Sequence, residues 1–99
     1  MPELELPIRN PTGLHARPAA TFVRAAAGYA ADIRLANLDG DPSRVVSAKS
    51  LIGVLSIGAA HGHRVRLMAE GPDQEDALRG LAALVAAGLG EAADTAGPA

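Results

Sequence analysis

The sequence contains no cysteine and no tryptophan. Without thiols, a disulfide framework and a thiolate metal site are both excluded. A reducing cytoplasm is the expected location. Phe22 and Tyr29 are its only aromatic residues. So few rings give no stacking platform for single-stranded nucleic acid. Positive charge is not in excess either, since the formal net charge is −2. A nucleic-acid partner, whose phosphates demand a basic surface, is not expected. No apolar run approaches the roughly 20 residues of a membrane span, so membrane insertion is not expected. A basic stretch leading into an apolar block is also missing from the N-terminus, which argues against a signal peptide. His61-Gly62-His63 has no neighbouring carboxylate in sequence and reads as a polar turn, so neither a metal nor a cofactor is expected.

What remains is a core of Ala, Val, Leu and Ile in a chain of 99 residues. That length holds one core and suits a layer of helices on a sheet. Residues 3–8 alternate polar and apolar and read as a strand, with Pro7 placing it at a sheet edge. Asn10-Pro11-Thr12-Gly13 is turn chemistry. A helix is expected from Ala16 to Ala27, with Ala19, Ala20, Val23 and Ala27 as its apolar face and Gly28 as its stop. Residues 31–36, 44–47 and 64–69 read as further strands, with a hairpin loop at 37–43. Ser50 stands where the N-cap of a short helix over 51–57 would stand. Gly71-Pro72-Asp73 opens a last helix, with Glu75 and Asp76 in its first turn and Leu78, Leu81, Val85 and Leu89 on its apolar face. The order β-α-β-β-α-β-α predicts an α+β, open-faced β-sandwich. Its four-stranded antiparallel sheet is covered on one face by three helices. The domain is expected to fill 1–90, and 91–99 reads as a flexible tail.

One segment carries chemistry: Gly13-Leu14-His15-Ala16-Arg17-Pro18-Ala19. His15 falls at the junction of a glycine turn and a helix. Helix starts leave backbone N–H groups unpaired and carry the positive end of the dipole, which together form an anion site. Arg17 can add a charge-assisted contact to phosphate. Pro18 is tolerated in the first turn because its missing N–H is one of the orphans. Thr12 and the Ala16 N–H are placed to meet phosphoryl oxygens. An imidazole is both uncharged and nucleophilic near neutral pH, so it can attack a phosphoryl donor directly. The bland alternative is a solvated histidine at a helix start beside a solvated arginine.

Residues 10–19 resemble the active-site signature of the HPr family. These are the histidine-containing phosphocarriers of the bacterial phosphoenolpyruvate-dependent sugar phosphotransferase system. Lys49-Ser50-Leu51-Ile52-Gly53-Val54-Leu55-Ser56-Ile57-Gly58 resembles the family's second signature, around a regulatory serine. The two lie in family order, and the likeness covers roughly residues 3–90. The resemblance implies that His15 is phosphorylated on Nδ1 by Enzyme I and that the group passes to an enzyme IIA. It implies Arg17 as the phosphate-side partner, Ser50 as a site for an HPr kinase/phosphorylase, and Lys49 as its basic neighbour. Leu51, Ile52 and Leu55 correspond to an apolar docking patch, with Arg24 extending it by a positive charge. Where the family often carries another basic residue, this chain has Ala27. A monomeric, stoichiometric carrier rather than an enzyme is expected.

Four alternatives accompany that expectation. An HPr-like carrier could serve a dihydroxyacetone kinase, a nitrogen-regulatory branch or a fused multiphosphoryl transfer protein. A non-catalytic regulatory module could act through Ser50 alone, although such a module has no need of His15 and Arg17. Ser50 could also be no more than an N-cap, contributing about 1 kcal/mol. A ferredoxin-like binding domain shares the mixed element order and nothing more.

Overall fold

The computed structural model describes residues 1–90; the expected tail, 91–99, lies outside the described residues. The elements are β1 (Glu3–Pro7), α1 (Ala16–Ala27), β2 (Asp32–Asn37), β3 (Val46–Ser47), α2 (Leu51–Ser56), β4 (Arg64–Glu70) and α3 (Gln74–Ala86). Every strand pairing is antiparallel, in the order β1-β4-β2-β3. The architecture expected from the sequence is therefore the observed one. Pro7 lies in an edge strand, where its missing N–H costs no ladder bond.

Period-two alternation sets the two faces of the sheet. Leu6 opposes Val65, Leu4 and Leu35 flank Leu67, and Ile33 opposes Ala69. These residues point toward the helices. Glu3 pairs with Arg66, Glu5 with Arg64 and Asp32 with Arg34 on the other, open face. Exposed pairs of this kind contribute about 0–1 kcal/mol each, so burial under the helices is what holds the sheet.

α1 differs from expectation in its rotation. Its buried residues are Pro18, Ala19, Phe22 and Ala26, while Ala20 and Val23 are half-buried and Ala27 is exposed. The buried stripe is centred about one residue earlier than the alanine pattern suggested. Phe22 decides it, because a phenyl ring buries far more area than any alanine. β3 is also shorter than expected, since Arg44 and Val45 leave the ladder. Arg44 instead donates to the Ser56 hydroxyl at the end of α2, at 3.0 Å from Nη2. Leu89 is buried as expected, but from a turn beyond α3 with φ of 54° rather than from the helix.

Asp73 ties two layers together. Its carboxylate accepts the Ala30 and Ala31 N–H groups at 2.8 Å each. The bond from Ala30 leads in holding its pKa below the ordinary 3.8; burial opposes, and the Ala31 bond and the Lys49 ammonium assist. A folded pKa below the unfolded one gives stability that is complete above the ordinary carboxylate range. That stability is lost as pH falls through the lowered value. Asp73→Asn is expected to lower the melting temperature at pH 7. The difference from the parent should vanish in acid strong enough to protonate Asp73 in both states.

Candidate functional site

His15 is the N-cap of α1, with extended backbone (φ −88°, ψ −172°), and its side chain does not cap the helix. Its carbonyl accepts the first helical bond, from the Ala19 N–H at 2.8 Å. The ring is thus left exposed at the helix start. Helix geometry gives the Ala16 and Arg17 N–H groups no intrahelical acceptor. Pro18 has no N–H at all. Beside the imidazole lie backbone donors and the positive end of a helix dipole, a suitable setting for an anion.

The turn before His15 is pinned from both sides. Asn10 is fully buried, and its Nδ2 donates to the Gly13 carbonyl at 2.7 Å. The Gly13 N–H returns to the Asn10 carbonyl at 3.1 Å, and the Leu14 N–H donates to the Ala59 carbonyl at 2.8 Å. Gly13 has φ of +64°, and a Cβ placed on it would stand 2.5 Å from the Ala59 oxygen. Thr12, Leu14, His15, Leu55, Gly58, Ala59 and Ala60 line a shallow depression of about 350 Å³. Another depression, of about 340 Å³, opens at the start of α3, but Asp73, Glu75 and Asp76 give it the wrong sign for phosphate.

The ion pairs among the described residues engage Arg34, Arg64, Arg66 and Arg79 and leave out Arg17 and Arg24. Both are exposed, and their spacing of seven residues puts them on one stripe of α1.

α2 packs on α1 with Leu55 beside His15. Leu51 is 41% exposed, Ile52 81% and Leu55 39%. Ile52 is the most exposed of the three patch residues, and Leu55 matches Leu51. Ser50 caps α2 as expected, its Oγ accepting the Gly53 N–H at 3.0 Å. Lys49 is placed differently from the rest. Its ammonium donates to the Tyr29 carbonyl at 2.6 Å, just past the C-terminal end of α1. One α1 length, roughly 18 Å at 1.5 Å per residue, separates that end from His15. The structure thus gathers Thr12, His15, Ala16, Arg17 and Leu55, and sets Ser50 and Lys49 apart.

A family model described as the PTS HPr component phosphorylation site matches residues 2–87. The chain belongs to the PTS HPr family. The phosphocarrier protein HPr of Streptomyces coelicolor is 45% identical over 83 residues, covering 84% of this chain and 86% of that one. A multiphosphoryl transfer protein of Vibrio cholerae is 50% identical over 84 residues, which is 85% of this chain and 21% of the relative. The chain spans about a fifth of the length of the multiphosphoryl transfer proteins it matches. Among solved structures, HPr-C-His from Thermoanaerobacter tengcongensis superposes with a TM-score of 0.84. It is 41% identical, with 92% of this chain and 98% of that one covered. The α+β open-faced sandwich is thus the HPr fold. No helix among the described residues is long and apolar enough to cross a membrane.

Sequence reasoning did not find the opposite wall of the HPr depression, Gly58 to Ala60, nor the buried Asn10 and Asn37. Asn10 gave a turn signal but none of burial. Asn37 and the wall are joined to their partners across long sequence separations, which no local pattern reports.

Proposed function

We propose that the chain is a stoichiometric phosphocarrier of the sugar phosphotransferase system, with His15 as acceptor. The observation that carries this is the exposed His15 ring at the start of α1, with Arg17 beside it in no described ion pair. The neutral imidazole attacks the phosphorus of a phosphohistidine on Enzyme I through Nδ1. The donor's P–N bond breaks as the new one forms, and the other ring nitrogen keeps its proton. Negative charge then rests against the Ala16 and Arg17 N–H groups, the helix dipole and the Arg17 guanidinium. The site is open to water, so these contacts are weak enough to release the group to an enzyme IIA. One chain contains the whole acceptor site, and a monomer suffices.

Leu51, Ile52 and Leu55 form the docking patch for both partners, with Arg24 adding positive charge. Lys49, engaged by Tyr29, acts there only when that bond is given up. Ser50 is the site for an HPr kinase/phosphorylase. Its hydroxyl already caps α2, and a phosphate would add negative charge between that helix and an acidic partner. ATP and that kinase should give an acid-stable phosphate on Ser50; no label ends this regulatory claim and leaves the carrier claim standing. The likeness to multiphosphoryl transfer proteins supports a second reading, in which the same acceptor serves a fused transfer chain.

The deciding experiment is incubation with Enzyme I and labelled phosphoenolpyruvate. One phosphate per chain is expected, labile in acid and stable in alkali. Absence of label from an Enzyme I that is active on its own carrier overturns the reading. In the same assay Arg17→Ala should slow transfer about tenfold to a hundredfold, the size of one charge-assisted hydrogen bond. Its melting temperature should barely move, because Arg17 is exposed. A matching loss of stability would make its role structural.

A further inference from the structure

The loop between α2 and β4 forms the wall of the depression facing His15, through Gly58, Ala59 and Ala60. Two side chains lock that loop. Asn37 is 1% exposed, at the end of β2 on the helix-covered side of the sheet. Its Oδ1 accepts the Asp39 N–H at 3.0 Å, which fixes the amide so that Nδ2 faces the loop. That Nδ2 donates to the Ile57 carbonyl at 3.1 Å and meets Nδ1 of His63 at 3.2 Å. The Ala60 N–H donates to the same Nδ1 at 3.1 Å. Two donors converge on one ring nitrogen, so Nδ1 must offer its lone pair and the ring proton must sit on Nε2.

The wall reaches the acceptor through one bond. The Ala59 carbonyl accepts the Leu14 N–H at 2.8 Å, and Leu14 is buried immediately before His15. Anything that shifts Ala60 shifts Ala59, and with it the turn that aims the imidazole.

We propose that His63, aligned by Asn37, is a positioning residue for the acceptor His15 and performs that role only as the neutral Nε2–H tautomer. The positional claim stands on the hydrogen bonds; its kinetic consequence rests on the phosphocarrier reading. Protonating His63 places a hydrogen on Nδ1, against the Asn37 amide and the Ala60 N–H, and both contacts are lost. The charged groups on the neighbouring elements are Arg9 after β1, Asp39 after β2, Arg64 on β4, and His61 within the turn itself. The Asp39 carboxylate accepts the Arg64 N–H at 2.7 Å, and the Arg64 guanidinium pairs with Glu5 at 3.7 Å. No ion pair among the described residues involves His63, so an imidazolium there has no carboxylate in contact.

Two measurements test this. Nitrogen NMR of the His63 ring at about pH 8, above the range in which histidine ordinarily titrates, is expected to show the Nε2–H tautomer. An Nδ1–H tautomer overturns the proposal. Phosphoryl transfer from Enzyme I is then followed as a function of pH for the parent, His63→Asn and His63→Leu. Asparagine places an uncharged oxygen where Nδ1 stood, so His63→Asn should match the parent at high pH. As pH falls, the parent's rate should drop relative to His63→Asn, by about fivefold for each hydrogen bond lost at Nδ1. Using this ratio cancels the pH dependence that the two chains share, that of Enzyme I included. His63→Leu should be slower than His63→Asn at every pH in kcat, with KM unchanged, because the docking patch is untouched. A ratio that stays flat with pH overturns the proposal. If the parent accepts no phosphoryl group at all, the carrier reading fails by itself. Exchange of the Ala60 amide, faster in His63→Leu and unchanged in His63→Asn, then decides the lock alone.

Discussion

His15→Ala is expected to leave a folded chain that accepts no phosphoryl group. The side chain is exposed and caps nothing, so truncating it removes no buried contact. Surface changes of that sort usually lie within about 0.5 kcal/mol. The melting temperature and far-UV spectrum should therefore match the parent. Labelling should fall from one phosphate per chain to none. The other imidazoles cannot take over. His63 has its Nδ1 occupied by two donors, and His61 sits in a turn rather than at a helix start. Residual acid-labile label in His15→Ala would place the acceptor elsewhere. An unfolded variant would show instead that the imidazole serves the fold.

The architecture was legible because a half-buried sheet forces strict alternation. Val65, Leu67 and Ala69 face the helices, and a shift of one residue would turn Arg64, Arg66 and Met68 inward. The acceptor was legible for a local reason as well, since turn, histidine and helix start are consecutive residues. The rotation of α1 was not, because a helix so rich in alanine offers little contrast between its faces. The single ring of Phe22 outweighed the pattern. Arg44 and Val45 looked like strand, but the turn at Asp41 and Ser43 and the pull of Ser56 on Arg44 keep them out of the ladder. The lock at Asn37 and His63 was invisible for another reason: its partners lie 26 residues apart and meet only once β2 and β4 have paired. What chain-local patterns supplied was the nucleophile; what they could not supply was the wall that aims it.

That division gives the second large effect, at Gly13. Gly13→Ala faces two separate costs. Its φ of +64° is a conformation that costs an L-residue about 1–2 kcal/mol. The new methyl would also stand 2.5 Å from the Ala59 oxygen and 2.7 Å from the Ala60 Cα, both backbone atoms that no side-chain rotation can move. Relief requires the turn and the wall to separate, which breaks the bond from the Leu14 N–H to the Ala59 carbonyl. The combined loss should exceed about 3 kcal/mol, a large share of the stability of a small domain. Gly58→Ala is the control. Its φ is +60°, but a Cβ there meets nothing within 4 Å. It should lose only the conformational part, although Gly58 lines the same depression. Chemical denaturation of both variants separates strain from close approach by subtraction. The folded fraction of Gly13→Ala should also transfer phosphoryl groups more slowly than that of Gly58→Ala, since only the former moves the turn that carries His15. Equal losses in the two variants would mean that the contact between turn and wall contributes nothing, and that His15 is aimed by its helix alone.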